Sequence, residues 1–271
     1  KYLFERGNCF EKKVIDKLKK DGHKIITVCK YVTKKGVKRT RDLMKEGYPI
    51  IHSAPIENPL TKTRGVIDLL VRSDYLHKII KKTDIQVDNR NNKHYVVIDI
   101  KLSELSIASD GIHILNKGAL SAYKSQCFIY NEAVGVEQGF TSRYSYILSS
   151  KYKYQNGKED CFDRLGVIDF EGYDKGCENK TRNAIKWYRD CVNNGDRWEI
   201  NPPERKELFP NMSKPSWVFK NKIQSLSEEN KEITAVWRCG VTIRNKALKK
   251  NIRNWGDLNF NSKNLDIKGD T

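Results

Sequence analysis

The chain has 271 residues, enough to bury a sizeable core as one large domain or one domain with an appendage. Lys and Arg number 51 against 34 Asp and Glu, and the net charge of +17 attracts polyanions, nucleic acid being the commonest. No run of about 18 apolar residues exists, so a transmembrane helix is excluded.

The start at Lys1 leads us to expect a trimmed chain whose native beginning lies elsewhere. Residues 8–20, NCFEKKVIDKLKK, keep Phe10, Val14 and Leu18 at helical spacing and stop at Asp21-Gly22. Residues 23–32, HKIITVCKYV, read as a strand, and residues 34–41, KKGVKRTR, as a basic loop. Residues 48–56, YPIIHSAPI, read as a short strand interrupted by prolines. Two stronger strands follow at 63–76 and 94–105, joined by a polar loop at 81–93, and are expected to pair antiparallel. Residues 116–133 read as a helix, 142–150 and 164–170 as strands, and 178–195 as a helix ending at Gly195. WEINPPERKELFPN then breaks the pattern, which places a boundary near residue 200 and leaves a polar helical tail.

The seven cysteines are widely spaced and include no C-x-x-C pair. That argues against a disulfide scaffold or zinc ribbon and for reduced thiols in an intracellular compartment.

The strand HYVVIDIKLSEL carries the first candidate chemistry. Alternation puts Val97, Asp99 and Lys101 on one face and Ile98, Ile100 and Leu102 on the other. A carboxylate beside an ammonium can hold a divalent ion and orient a water. An exposed Asp–Lys pair on a solvent face is the commoner arrangement for those two residues alone. Asp68 in GVIDLLV sits in a strand apolar on both faces, where an unpaired carboxylate is costly. A metal shared with Asp99 would relieve that cost, as would an ordinary buried hydrogen bond. Glu11 borders the apolar stripe of the first helix and either reaches inward or snorkels to water. Gln126 and Tyr130 share a helix face, joined by Tyr123. VID recurs at 167–169, but Asp169 lacks a lysine two residues on and reads as structural, or at most substrate-binding.

The order helix-Glu, strand-Asp, strand Asp-x-Lys, helix Gln-x-x-x-Tyr resembles the PD-(D/E)xK nuclease superfamily. It looks most like the RecB-like branch that includes lambda exonuclease, YqaJ-type nucleases and CRISPR-associated exonucleases. RGNCFE, GVIDLLVRSDYL, VVIDIK and AYKSQCFIY carry the resemblance, over about the first half of the chain. The resemblance implies an α/β, restriction-endonuclease-like core over residues 1–200, with a central mixed β-sheet flanked by helices. A basic helical appendage over 201–271 would follow it.

It also implies a Mg²⁺ or Mn²⁺ ion held by Asp68, Asp99 and the carbonyl of Ile100. Glu11 would support the ion or an outer water, and His52 stands as a further candidate ligand. Lys101 would position the nucleophilic water, and Gln126 and Tyr130 would lie near the scissile phosphate. Arg6, taken to lie just ahead of the first helix, Arg64, Tyr123 and Lys124 are expected to contact DNA phosphates. Asp99 stands where the branch more usually has Glu. The clustered cysteines of the CRISPR-associated relatives are absent, so no iron–sulfur cluster is expected.

The expected activity is phosphodiester hydrolysis of double- or single-stranded DNA, of the exonuclease type. A silent DNA-binding adaptor or an RNA-directed endonuclease on the same fold are the rivals. The reading admits a homo-oligomer. The Lys-, Asn- and Ile-rich composition suits an AT-rich, giant-virus source. In the tail, residues 235–258 are similar to a helix-hairpin-helix, or form a basic cap in which Trp237 and Trp255 supply the core.

Overall fold

A computed structural model describes residues 2–82, 85–91, 93–214 and 216–267, so parts of the polar loop at 81–93 and the last residues of the tail fall outside it. The chain packs as two compact units, Lys1–Lys186 and Trp187–Thr271.

The larger unit is an α/β fold around a seven-stranded mixed sheet in the order β1-β2-β3-β4-β5-β6, with β7 also pairing β5. The strands are β1 Ile25–Thr27, β2 Ile50–Asn58, β3 Thr63–Arg72, β4 Tyr95–Ser106, β5 Tyr144–Tyr154, β6 Gly157–Asp160 and β7 Gly166–Asp169. Two neighbour pairs are parallel, and each has a helix in its crossover, as parallel pairing requires. Helix α2, Lys34–Lys45, links β1 to β2, and α4, Leu120–Gln138, links β4 to β5. The pairs β2–β3 and β3–β4 are antiparallel, as expected for the latter.

Helices cover both faces. Helix α1, Tyr2–Lys20, sends Val14, Ile15 and Leu18 into a core with Leu69, Val71, Val96, Ile98 and Ile100. Ala133 and Val134 of α4 pack with Ile67, Leu70 and Val97 in a second core. Fully burying one such aliphatic side chain stabilises by about 1.5–3 kcal/mol. Helix α4 ends where Gly139 turns left-handed at φ 71°, a conformation glycine adopts without strain.

Several local expectations are corrected. The basic stretch 34–41 is helical, because the Thr33 hydroxyl accepts from Gly36 N at 3.0 Å and Val37, Thr40 and Leu43 form a buried stripe. The strand expected at 23–32 shrinks to β1, three residues long. Strand β2 runs unbroken through Pro55, which pairs with Val66 of β3 beyond the point where β1 ends. Proline is tolerated on such an edge. Strand β6 has no counterpart among the expected elements.

The smaller unit begins within α5, Cys177–Asn194, and adds α6, Lys220–Glu229, and α7, Val241–Lys249. Its core is Ile233, Cys239, Ala247, Ile252 and Leu265. Arg244 is buried there beside Glu232 and donates to the carbonyls of Phe209 and Pro210. Of the helix-hairpin-helix expected at 235–258, the basic second helix after Gly240 is present as α7, but only a 3-10 turn, Ile233–Ala235, precedes it, and residues 250–258 form turns. Trp237 and Trp255 lie outside the core, 79% and 45% exposed.

Candidate active site

The β3–β4 ladder runs from Arg72↔Tyr95 to Leu69↔Ile98 and stops. Beyond it β3 stays with β2 while β4 stays with β5, so the sheet forks. Asp68 and Asp99 are the first residues past the last pair, one on each arm.

The fork explains how Asp68 is accommodated. Its Oδ2 accepts the Ile100 amide at 2.7 Å, a main-chain donor that the ladder no longer serves. Its carboxyl lies near enough to that of Asp99 for the two to influence each other's proton affinity. Asp99 is 1% exposed, and neither of its oxygens has a donor in hydrogen-bond alignment. What it has is the Lys101 ammonium, 2.6 Å from Oδ2. Buried Asp99 therefore takes the Lys101 cation, and half-buried Asp68 feels the same charge from further off.

The proton affinities follow. Burial, then the charge of Asp99, pushes Asp68 up to about 7. Burial raises Asp99 despite Lys101 beside it. Burial pulls the Lys101 ammonium down, but the charge and hydrogen bond of Asp99, with the Asp68 charge, together outweigh it and raise its proton affinity.

Helix α4 holds the lysine from above. Lys101 Nζ donates to Gln126 Oε1 at 3.3 Å, and Gln126 Nε2 donates to the Tyr130 hydroxyl at 3.2 Å. The Tyr123 ring centre lies 5.1 Å from Nζ, a cation–π contact. Tyr130 lies flat on β3 because residue 65 is glycine; a Cβ there would strike the ring.

On the opposite side of the fork, Glu11 Oε1 meets His52 Nε2 at 2.9 Å, and His52 Nδ1 meets Thr27 Oγ1 at 2.9 Å. The His52 hydrogen bond holds the Glu11 carboxyl below its usual value. Glu11 is close enough to push the Asp68 and Asp99 affinities up. A cleft of about 330 Å³ opens here, lined by Asn8, Glu11, Lys30, Tyr31, Ser53 and Asp68. No protein-family model and no curated protein matches this chain.

The structure thus brings Asp68, Asp99, Lys101, Gln126, Tyr130 and Tyr123 together, with Glu11 and His52 at the rim. Arg6 and Arg64 are exposed, Arg6 in the second turn of α1 rather than ahead of it. Lys124 needs correction as a phosphate contact. It is 2% exposed, and its ammonium donates to Asp174 Oδ1, Ile114 O and Asn116 Oδ1 within 2.9 Å. It faces away from Gln126 because the two lie two residues apart on the helix. Asp169 is held by Arg143 through two 2.7 Å bonds, a structural role.

Lys30, Tyr31, Ser53 and Cys127 escaped sequence reading. Ser53 adopts φ 47°, a left-handed conformation uncommon for a non-glycine residue, directly between His52 and Ala54 in β2. Its signal in sequence was nil. Cys127, fully buried one residue from Gln126, has its thiol pushed well up by burial.

A divalent cation fits this donor set in kind. Among the described residues no three His, Cys, Asp or Glu side chains already form a cage. Mg²⁺, however, is commonly held by one or two carboxylates, completed by waters and substrate phosphate. Asp99, whose one close cation is the Lys101 ammonium, and Asp68 beside it match that requirement.

Proposed function

We propose that this chain is a Mg²⁺- or Mn²⁺-dependent deoxyribonuclease with a restriction-endonuclease-like core, in the RecB-like branch of the PD-(D/E)xK superfamily. The observation that carries the reading is the fork. Asp68 and Asp99, each with a raised proton affinity, stand where the β3–β4 ladder ends, and the Lys101 ammonium lies 2.6 Å from Asp99. Keeping Asp99 buried beside a second carboxyl, with the one Lys101 ammonium as its counterion, is costly. A silent DNA-binding adaptor has no use for that cost, whereas a cation site does.

Asp68 and Asp99 would hold the ion, with the Ile100 carbonyl. Such an ion acidifies a bound water and polarises a phosphoryl oxygen. Lys101, fixed by Asp99 and Gln126, directs its one remaining N–H at the attacking water. Gln126 and Tyr130 align the lysine and stand ready for the phosphate. Glu11, held by His52, orders water at the open side of the site.

The basic surface supports DNA as the substrate, and the exonuclease type follows from the branch resembled. Asp99→Ala and Lys101→Ala are each expected to lower cleavage of end-labelled DNA in Mn²⁺ by at least about 10³-fold while binding survives. Comparing linear with circular substrate reads the exonuclease character. Wild-type cutting by either variant sinks the assignment.

A further inference from the structure

The C-terminal unit packs Phe260 against its small core but leaves several other large aromatics outside. Trp217 is 88% exposed, Phe219 66% and Trp237 79%. Aromatic rings are the largest apolar groups a small core could recruit, so their exclusion calls for another occupant.

The rings are not randomly placed. The segments that carry them are stitched together: Met212 N donates to the Thr234 hydroxyl at 2.9 Å, and that hydroxyl donates to Pro210 O at 3.1 Å. Trp217 and Trp237 follow within a few residues of this seam. The guanidinium of Arg238 lies 4.2 Å from the Trp237 ring centre. With one face so covered, a 79% exposure leaves the opposite face in water. Lys231 likewise sits 5.7 Å from the Trp255 ring centre.

Both of these basic residues adopt a left-handed backbone, φ 61° at Arg238 and 48° at Lys231. Neither is the glycine that such a conformation favours. Strain of this kind concentrates where function fixes a geometry.

Charge completes the pattern. From Lys231 to Arg253 the sequence holds seven basic residues against Glu232 alone, and Glu232 is consumed by buried Arg244. Lys246, Lys249 and Arg253 are exposed. Open aromatic faces amid exposed cations suit a flexible polyanion that carries flat rings. Duplex DNA hides its rings in the stack; a single strand offers them.

We propose that the C-terminal unit binds single-stranded nucleic acid, stacking bases on Trp237 and Trp217 while the surrounding Lys and Arg hold the backbone. This stands independently of the fork, because no residue of the fork enters it. The test uses the full chain in chelator, with a fluorescent short oligothymidylate followed by anisotropy and tryptophan quenching.

Wild type is expected to bind the strand and quench. Trp237→Ala should weaken it about tenfold, one stacked base being worth roughly that factor. Trp237→Phe should restore most of the loss. Binding of heparin, a polyanion without bases, should be unchanged by Trp237→Ala. An oligouridylate arm separates RNA from DNA as the preferred strand.

Wild-type affinity in Trp237→Ala, or an equal loss for heparin, overturns the proposal. So does an oligomer that Trp237→Ala dissolves without any strand binding, which would give the surface to a second copy of the chain. Asp99→Ala should bind the strand normally, so failure of the nuclease reading and failure of this one are read separately.

Discussion

At the residue scale the fork is a liability to the folded chain that a cation would relieve. Asp68 keeps its proton to about pH 7 when folded and only to about 4 when unfolded. Between those values the folded state binds more protons, so stability declines as pH rises. The Asp68 contribution is fully present below about pH 4 and lost above about 7. Each unit of difference corresponds to about 1.4 kcal/mol, which puts the total at a few kcal/mol.

Urea unfolding of the chelated protein should therefore show a fall in stability from pH 5 to pH 8. Asp68→Asn should flatten that fall, and Mg²⁺ or Mn²⁺ at pH 8 should recover part of it. Stability identical in variant and wild type at both pH values would show that Asp68 carries no such burden.

Alternation along a strand made the Asp99–Lys101 pairing legible, and a lone acid in GVIDLLV marked Asp68. What stayed hidden was the end of the ladder. Whether two neighbouring strands continue together or part is decided by the other partner each keeps, here β2 beside β3 and the distant β5 for β4. The 47° φ of Ser53 was hidden for the same reason, since tertiary context holds it there.

At the element scale, α4 does two jobs on two faces. Gln126 and Tyr130 serve the fork, while Lys124 anchors the helix to Asp174 and to the loop at Ile114 and Asn116. Burial pulls the Lys124 ammonium down, and Asp174 only partly offsets this. Removing one partner of a buried ion pair strands the other and costs about 3–5 kcal/mol. Lys124→Met is thus expected to lower stability by that order in urea titration, with DNA affinity of the folded protein unchanged. A variant of normal stability that binds DNA poorly would restore Lys124 to the phosphate surface.

The Gln-x-x-x-Tyr spacing located one face of this helix; nothing in KSQC distinguishes a lysine that points in from one that points out. Helix α2 was misjudged because its lysines and arginines mask a short stripe of Val37, Thr40 and Leu43. The cap at Thr33 was the available signal.

At the scale of the whole molecule, the net charge of +17 was the plainest message of the sequence. It predicts DNA affinity that collapses with salt, as condensed counterions are released on binding. In chelator, a plot of log affinity against log salt should have a slope steeper than about −4, equivalent to several phosphates neutralised. A flat plot would mean that the charge is not used for binding. No helix among the described residues is long and apolar enough to cross a membrane.

The proline-rich stretch after Gly195 was the natural place to divide the sequence, yet the units divide at Lys186, inside a continuous helix. The first turns of α5 bond to α4 through Thr181–Ser125 and Arg182–Glu132. Its far end carries Asp190, bonded to Arg205.

That shared helix has a practical edge for anyone dissecting the protein. A cut at the junction leaves each fragment with a stub of about two and a half turns, too short to hold itself together in water. Fragments meant to be stable should instead keep α5 whole on the N-terminal piece and begin the other piece after Gly195, even though this strips Arg205 of its acidic partner.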